Sequence, residues 1–177
     1  MPRTCAWCGS STVMRNRQAR FCSSKCRVYA HRAKLPRELT DRDRWVRRDE
    51  RKRPLTVHGD PASSTDQATW STYALAKASA VGSGLGFVLG DGVGCIDLDH
   101  CLVDGVPTSA AGEVLRAYPG NYVEVSPSGD GLHIWGTADP APGTRRVEDG
   151  LAIERYSTGR YITVTGNVFR AGTLLPL

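Results

Sequence analysis

The chain has 177 residues, room for one domain of ordinary size and a small accessory module, and no apolar run approaches the roughly 18 residues of a membrane span. The start, Met-Pro-Arg-Thr-Cys, lacks the apolar stretch of a secretory signal; the expected location is the cytoplasm, with no membrane partner, where six Cys read as thiols or metal ligands rather than disulfides. The net charge of +5 divides unevenly: residues 1–60 carry 16 Lys and Arg against 6 Asp and Glu, and the remainder 7 against 12, so a basic head suited to a polyanion precedes an acidic body whose carboxylates suit cations.

Residues 1–34 form the first expected unit. Cys5-x2-Cys8-x13-Cys22-x3-Cys26 is a four-thiolate spacing suited to tetrahedral Zn²⁺, with His31 as a reserve ligand. So short a segment buries little core, and structural zinc would supply folding energy on the order of 10 kcal/mol. Phe21-Cys-Ser-Ser-Lys-Cys-Arg27 looks like a zinc knuckle running into a helix, as in treble-clef fingers. Arg3, Arg15, Arg17, Arg20, Lys25, Arg27, Arg32 and Lys34 around it favour nucleic acid over a finger that only stabilises or binds protein.

Residues 35–44 read as a connector or short helix, and 45–177 as the main domain. Trp45–Arg48 and Arg53–Val57 suit a hairpin around Asp49–Lys52, with Pro54 at an edge. Ser63–Asp66 offers caps for a helix running through Trp70, Tyr73, Ala74 and Ala76. Strands are expected at 86–90 and 94–99, split by the turn pair Asp91-Gly92. A helix follows from Thr108 or Ser109 to Tyr118, closed by Pro119-Gly120. Four more strands are expected at 121–126, 131–136, 151–156 and 160–165. The order gives an α+β domain: an antiparallel-rich sheet with helices on one face.

Alternation then sorts the side chains. Ile96 and Leu98 oppose Cys95, Asp97, Asp99 and Cys101; Val123 and Val125 oppose Tyr122, Glu124 and Ser126. Leu132 and Ile134 oppose His133 and Trp135; Leu151 and Ile153 oppose Glu154 and Tyr156; Ile162 and Val164 oppose Tyr161, Thr163 and Thr165. One face is apolar and the other, taken as open, carries chemical groups. Two aspartates at i and i+2, about 6–7 Å apart, repel each other. Bound Mg²⁺ or Mn²⁺ turns that repulsion into ligation. Glu124 or Glu154 would supply a third carboxylate. Ser126-Pro-Ser-Gly-Asp-Gly-Leu-His133 is a Gly-rich turn whose N–H groups and hydroxyls, at Ser126 and Ser128, suit phosphate oxygens, and Arg160 lies within reach of a phosphate. Cys95 and Cys101 read as ordinary thiols.

Together these residues resemble the archaeo-eukaryotic primase superfamily, in its phage and plasmid primase–polymerase branch. The family's motifs stand here as Cys-Ile-Asp97-Leu-Asp99, Gly131-Leu-His133 and Ala-Ile-Glu154. The flanks Gly59–Trp70, Glu124–His133 and Glu154–Gly166 also look like the phage branch, so the resemblance covers roughly 45–168. It implies an RRM-like sheet, two-metal nucleotidyl transfer from nucleoside triphosphates, and a single-stranded DNA template. It implies Asp97, Asp99 and Glu154 as metal ligands, and His133, Ser126 and Ser128 at the incoming triphosphate. The family more often has Asp at the third position; Glu154 is one methylene longer. Related proteins usually continue into a helical domain and often a helicase; here the expectation is either that those parts are separate polypeptides, with a separately encoded helicase as a partner, or that this is a minimal or truncated enzyme. The alternatives are a metal-dependent nuclease and a non-catalytic nucleic-acid-binding replication accessory. A HUH relaxase is discounted, because Leu132-His-Ile-Trp135 offers one His only.

Overall fold

The computed structural model describes residues 11, 19, 21–32 and 34–177. Contacts divide the chain into two compact units, Met1–Lys34 and Leu35–Leu177. In the first, helix α1 spans Ser24–Arg32, and the Ser23 hydroxyl accepts from the Cys26 amide at 3.1 Å, satisfying one of the donors left over at a helix start. The Cys22 and Cys26 sulfurs lie 3.5 Å apart. Cys5, Cys8 and the side chain of His31 lie outside the described residues.

The second unit opens with the short helix α2 (Arg37–Thr40), whose Leu39 is buried and accepts the Trp45 indole N–H at 3.1 Å. Strands β1 (Trp45–Arg48) and β2 (Pro54–Leu55) form the expected hairpin. The expected helix through Trp70 is interrupted. Asp66 caps a single 3₁₀ turn, Gln67–Thr69, and then Ser71 exchanges two backbone hydrogen bonds with Trp45. That pairing pulls Ser71 into extended backbone, and helix α3 (Tyr73–Ala78) starts afresh on the Thr72 cap.

Strand β3 (Gly84–Val88) and strand β4 (Val93–Asp99) are separated by a turn with positive φ at Asp91 and Gly92. They do not pair as a hairpin. Both edges of β3 and both edges of β4 are taken by other strands, so the turn passes the chain from one sheet to another. A small hairpin, β5 (Leu102–Val103) with β6 (Val106–Pro107), leads into helix α4 (Ser109–Ala117), capped by Thr108. Then come β7 (Tyr122–Val125), β8 (Leu132–Thr137), β9 (Thr144–Glu148), β10 (Leu151–Tyr156), β11 (Tyr161–Val164) and β12 (Val168–Arg170). The sequence gives no strand signal at β9; all five of its residues are exposed, so it lacks the alternation that marks a half-buried strand.

Every ladder between named strands is antiparallel. The larger sheet has the order β12-β7-β8-β4-β10-β9 and the second the order β11-β3-β1-β2. On one face of the larger sheet Ile96, Leu98, Val123, Leu132, Ile134 and Ile153 pack with Ala111 and Leu115 of α4. On the other, Cys95, Tyr122 and Trp135 pack with Trp45, Phe87, Ile162 and Val164 of the second sheet. Phe87 meets Trp135 edge-on at 5.9 Å. Each large side chain buried this way contributes about 1.5–3 kcal/mol.

Two expectations are corrected here. The face bearing the chemical groups is roofed by the second sheet over part of its area, rather than open. Strand β11 belongs to that roof, not to the sheet that carries Asp97. Helix coverage is also sparse: α4 lies on the larger sheet, whereas α3 packs beside β1, Tyr73 against Trp45 at 4.8 Å. The result is α+β with mostly antiparallel sheets and few helices. Among the described residues no helix is long and apolar enough to cross a membrane.

Candidate active site

The register of the larger sheet sets five of the side chains singled out in the sequence in or beside a single line. Glu124 on β7 faces His133 on β8, His133 faces Asp97 on β4, and Asp97 faces Glu154 on β10. Arg145 on β9 is the next partner outward. Directly paired residues project to the same side of a sheet, so this row runs across five strands. Asp99 sits two residues along β4 on the same side, opposite the small Ala152.

Exposure grades along the row. Glu124 is wholly buried and His133 is 3% exposed, whereas Asp99 is exposed. His133 Nδ1 lies 3.3 Å from Glu124 Oε1 and its Nε2 3.6 Å from Asp97 Oδ1. Burial pushes the Asp97 carboxyl above the ordinary carboxylate range; His133 and Lys52 oppose this, while Asp99 and Glu154 add to it. Glu154 accepts from the Tyr156 hydroxyl at 2.6 Å and meets Arg145 Nε at 3.1 Å.

The Gly-rich loop closes the upper end. Ser126 and Ser128 hydroxyls are 2.9 Å apart, and Ser128 donates to Asp130 at 2.5 Å. Asp130 in turn meets His100 Nδ1 at 2.6 Å, and its carbonyl accepts from the Cys101 and Leu102 amides. Two of the loop amides expected for phosphate, at Ser126 and Gly129, are used inside the turn. Gly131 has no room for a side chain: a Cβ there would lie 2.7 Å from the Leu98 carbonyl and from the Ser126 hydroxyl. The small residue ahead of His133 is therefore a packing requirement.

These groups line a cleft of about 400 Å³, with Asp97, Asp99, Ser126, Ser128, His133 and Arg160 on its walls, a size within the range of small-molecule sites. Lys52, Ser64 and Tyr161 also line it, and none of the three was selected from the sequence. Lys52 sits at positive φ on the β1–β2 turn, and its carbonyl accepts the Tyr161 hydroxyl. A partner 109 residues away leaves no local signal. The Arg160 guanidinium stacks 4.1 Å over Tyr156. A larger hollow of about 830 Å³ lies elsewhere, lined by Arg42, Arg146 and Arg155; it contains none of the row and one acidic side chain, Asp139.

The donor chemistry of Asp97 and Asp99 fits a hard divalent cation. Glu154 is adjacent by register, but its oxygens are turned to Tyr156 and Arg145. Among the described residues no three His, Cys, Asp or Glu side chains are gathered as a metal cage. In the first unit, the 3.5 Å between Cys22 and Cys26 sulfurs is close to the about 3.8 Å that two thiolates span on a tetrahedral zinc. Cys95 and Cys101 are buried and their thiols are pushed up, Cys101 to about 11, chiefly by burial, consistent with inert thiols.

No protein-family model matches the chain. In an alignment of 136 positions that covers 71% of the chain, it is 39% identical to a DNA primase-polymerase of Nitratiruptor phage NrS-1. This chain is similar to a phage primase–polymerase. It spans 19% of that protein's length. The likeness agrees with the resemblance carried by Asp97-Leu-Asp99, Gly131-Leu-His133 and Glu154.

Proposed function

We propose that this chain carries the nucleotidyl-transfer domain of a primase–polymerase serving the replication of a phage or mobile element. The observation that carries the proposal is that His133, Asp97 and Asp99 line one cleft rimmed by Lys52 and Arg160, with Glu154 next to Asp97 by register. The likeness to the phage enzyme supports the same reading.

In this reading Asp97, Asp99 and Glu154 hold Mg²⁺ or Mn²⁺, with Glu154 released from Arg145. When bound, two such ions supply activation of the attacking 3′ oxygen and neutralisation of the leaving pyrophosphate. His133, Ser126, Ser128, Arg160 and Lys52 bind and orient the incoming triphosphate, placing its α-phosphate beside the carboxylates. The cations suit phosphate oxygens; the carboxylates by themselves repel them, so substrate and ion bind together. The basic first unit holds the single-stranded template, with Cys5, Cys8, Cys22 and Cys26 around a structural Zn²⁺.

The test is incubation with single-stranded templates, labelled triphosphates and Mg²⁺ or Mn²⁺, with and without primer. Templated incorporation is expected, and its loss in Asp97→Ala and Asp99→Ala variants that still fold. Template cleavage without use of triphosphates would replace the proposal with a nuclease. Full incorporation by an Asp97→Ala, Asp99→Ala double variant would take the chemistry away from these carboxylates, and template binding with no incorporation by the wild type would leave a nucleic-acid-binding accessory.

A further inference from the structure

The cleft contains no atom of Glu124, although this carboxylate stands at the inner end of the row. It is wholly buried, and a buried carboxylate is costly unless its oxygens are met by donors. They are met in two directions. Oε2 receives the Gly166 amide at 2.9 Å, the Thr165 amide at 3.3 Å and the Tyr122 hydroxyl at 3.4 Å. Oε1 faces Nδ1 of His133 at 3.3 Å. The ring's far edge, Nε2, is the edge turned to Asp97 and the cleft.

A carboxylate whose other oxygen is filled by three donors is an acceptor, so the hydrogen between Oε1 and the imidazole belongs to Nδ1. That contact fixes the ring's rotation and the nitrogen that carries hydrogen, as a carboxylate behind a functional histidine does elsewhere. The same group anchors the residues that follow β11, the strand that begins beside Arg160.

We propose that Glu124 is a positioning residue that acts on the incoming triphosphate through His133. This rests on the primase–polymerase reading and assigns Glu124 a role other than that of the third metal ligand. A rival explanation is that Glu124 only pins the Thr165–Gly166 turn. Glu124→Gln separates the two. Its amide oxygen still accepts from Gly166, Thr165 and Tyr122, while its NH₂ faces His133 and forces Nδ1 to become an acceptor.

The experiment is a double-variant cycle on the full chain, read in steady-state incorporation and in ¹⁵N spectra of histidine-labelled protein. In the wild type, His133, assigned by comparison with His133→Ala, shows hydrogen on Nδ1. Glu124→Gln moves the hydrogen to Nε2 and raises the triphosphate KM about tenfold, the loss of one good hydrogen bond, with a smaller effect on kcat. In the His133→Ala background Glu124→Gln adds less than about twofold to KM, because its route is already cut. Equal factors in both backgrounds, or a wild-type His133 with hydrogen on Nε2 alone, overturn the proposal. Absence of incorporation by the wild type overturns the polymerase reading instead, and leaves the spectra to decide how Glu124 sets His133.

Discussion

Asp97→Asn replaces a charge that the fold opposes and the proposed chemistry requires. Asp97 stands beside Glu154 by register and about 6.6 Å along the strand from Asp99. Two like charges at that distance repel by about 2.5 kcal/mol at an effective dielectric of about 20, and by well under 1 kcal/mol in water. The Asp97 side chain is 22% exposed and has His133 at 3.6 Å as an opposing contact, so a net gain on the order of 1 kcal/mol is expected without metal. That corresponds to a rise in melting temperature of about 2–4 °C. The gain depends on pH. A carboxyl raised in the folded state keeps its proton where the unfolded chain has already released its own. Wild-type stability therefore falls as pH rises from the ordinary carboxylate value to the raised one, and the deficit is fully present above it. The variant lacks this slope. Metal reverses the comparison: at about ten times its Kd, an ion stabilises the wild type by about 1.4 kcal/mol, and the variant gains much less. Scanning calorimetry from pH 4 to 8, with chelator and with Mn²⁺, reads all three effects. A variant that melts lower than wild type at pH 7 in chelator, or gains as much from Mn²⁺, refutes the reasoning.

Gly131→Ala forces a methyl to within 2.7 Å of the Leu98 carbonyl, which as backbone cannot yield cheaply; a loss of about 1–3 kcal/mol and weaker triphosphate binding through the displaced Ser126 are expected, measured by calorimetry and nucleotide titration. With the Cys101 thiol at about 11, on the order of one thiolate per thousand is present at pH 8; iodoacetamide followed by mass spectrometry should label Cys95 and Cys101 only after unfolding, and rapid native labelling would contradict their burial. Removing residues 1–34 should flatten the salt dependence of single-stranded DNA binding by about 0.7 in log–log slope for each phosphate that is no longer neutralised; an unchanged slope in a filter-binding series would take the basic first unit out of the interface.

Much of this site is local and was legible in the chain. Asp97, Asp99, His133 and Glu154 follow from alternation against Ile96, Leu98, Leu132, Ile134 and Ile153, because a strand's pleat alone sends neighbours to opposite faces. The Thr108 cap, the Asp91-Gly92 turn and the β1–β2 hairpin are likewise set by residues within a few positions. Alternation does not say what covers a face. Asp97 and Glu124 have the same local pattern, yet one lines the cleft and the other is sealed from it, because the second sheet and the Thr165–Gly166 turn close over β7 and not over the end of β4.

Tertiary structure decided the rest. The Glu124–His133–Asp97–Glu154 order is a property of register between strands far apart in the chain, and a slip of one residue would send any member to the α4 side. Lys52 reaches the cleft through a turn held by Tyr161, and β3 and β4 part into different sheets because their edges are already taken. The sequence by itself determined which side chains share a face of each strand, since that depends on backbone geometry alone. Which of them meet, and which stay wet enough to bind a ligand, was decided only when distant strands paired and the second sheet covered part of that face.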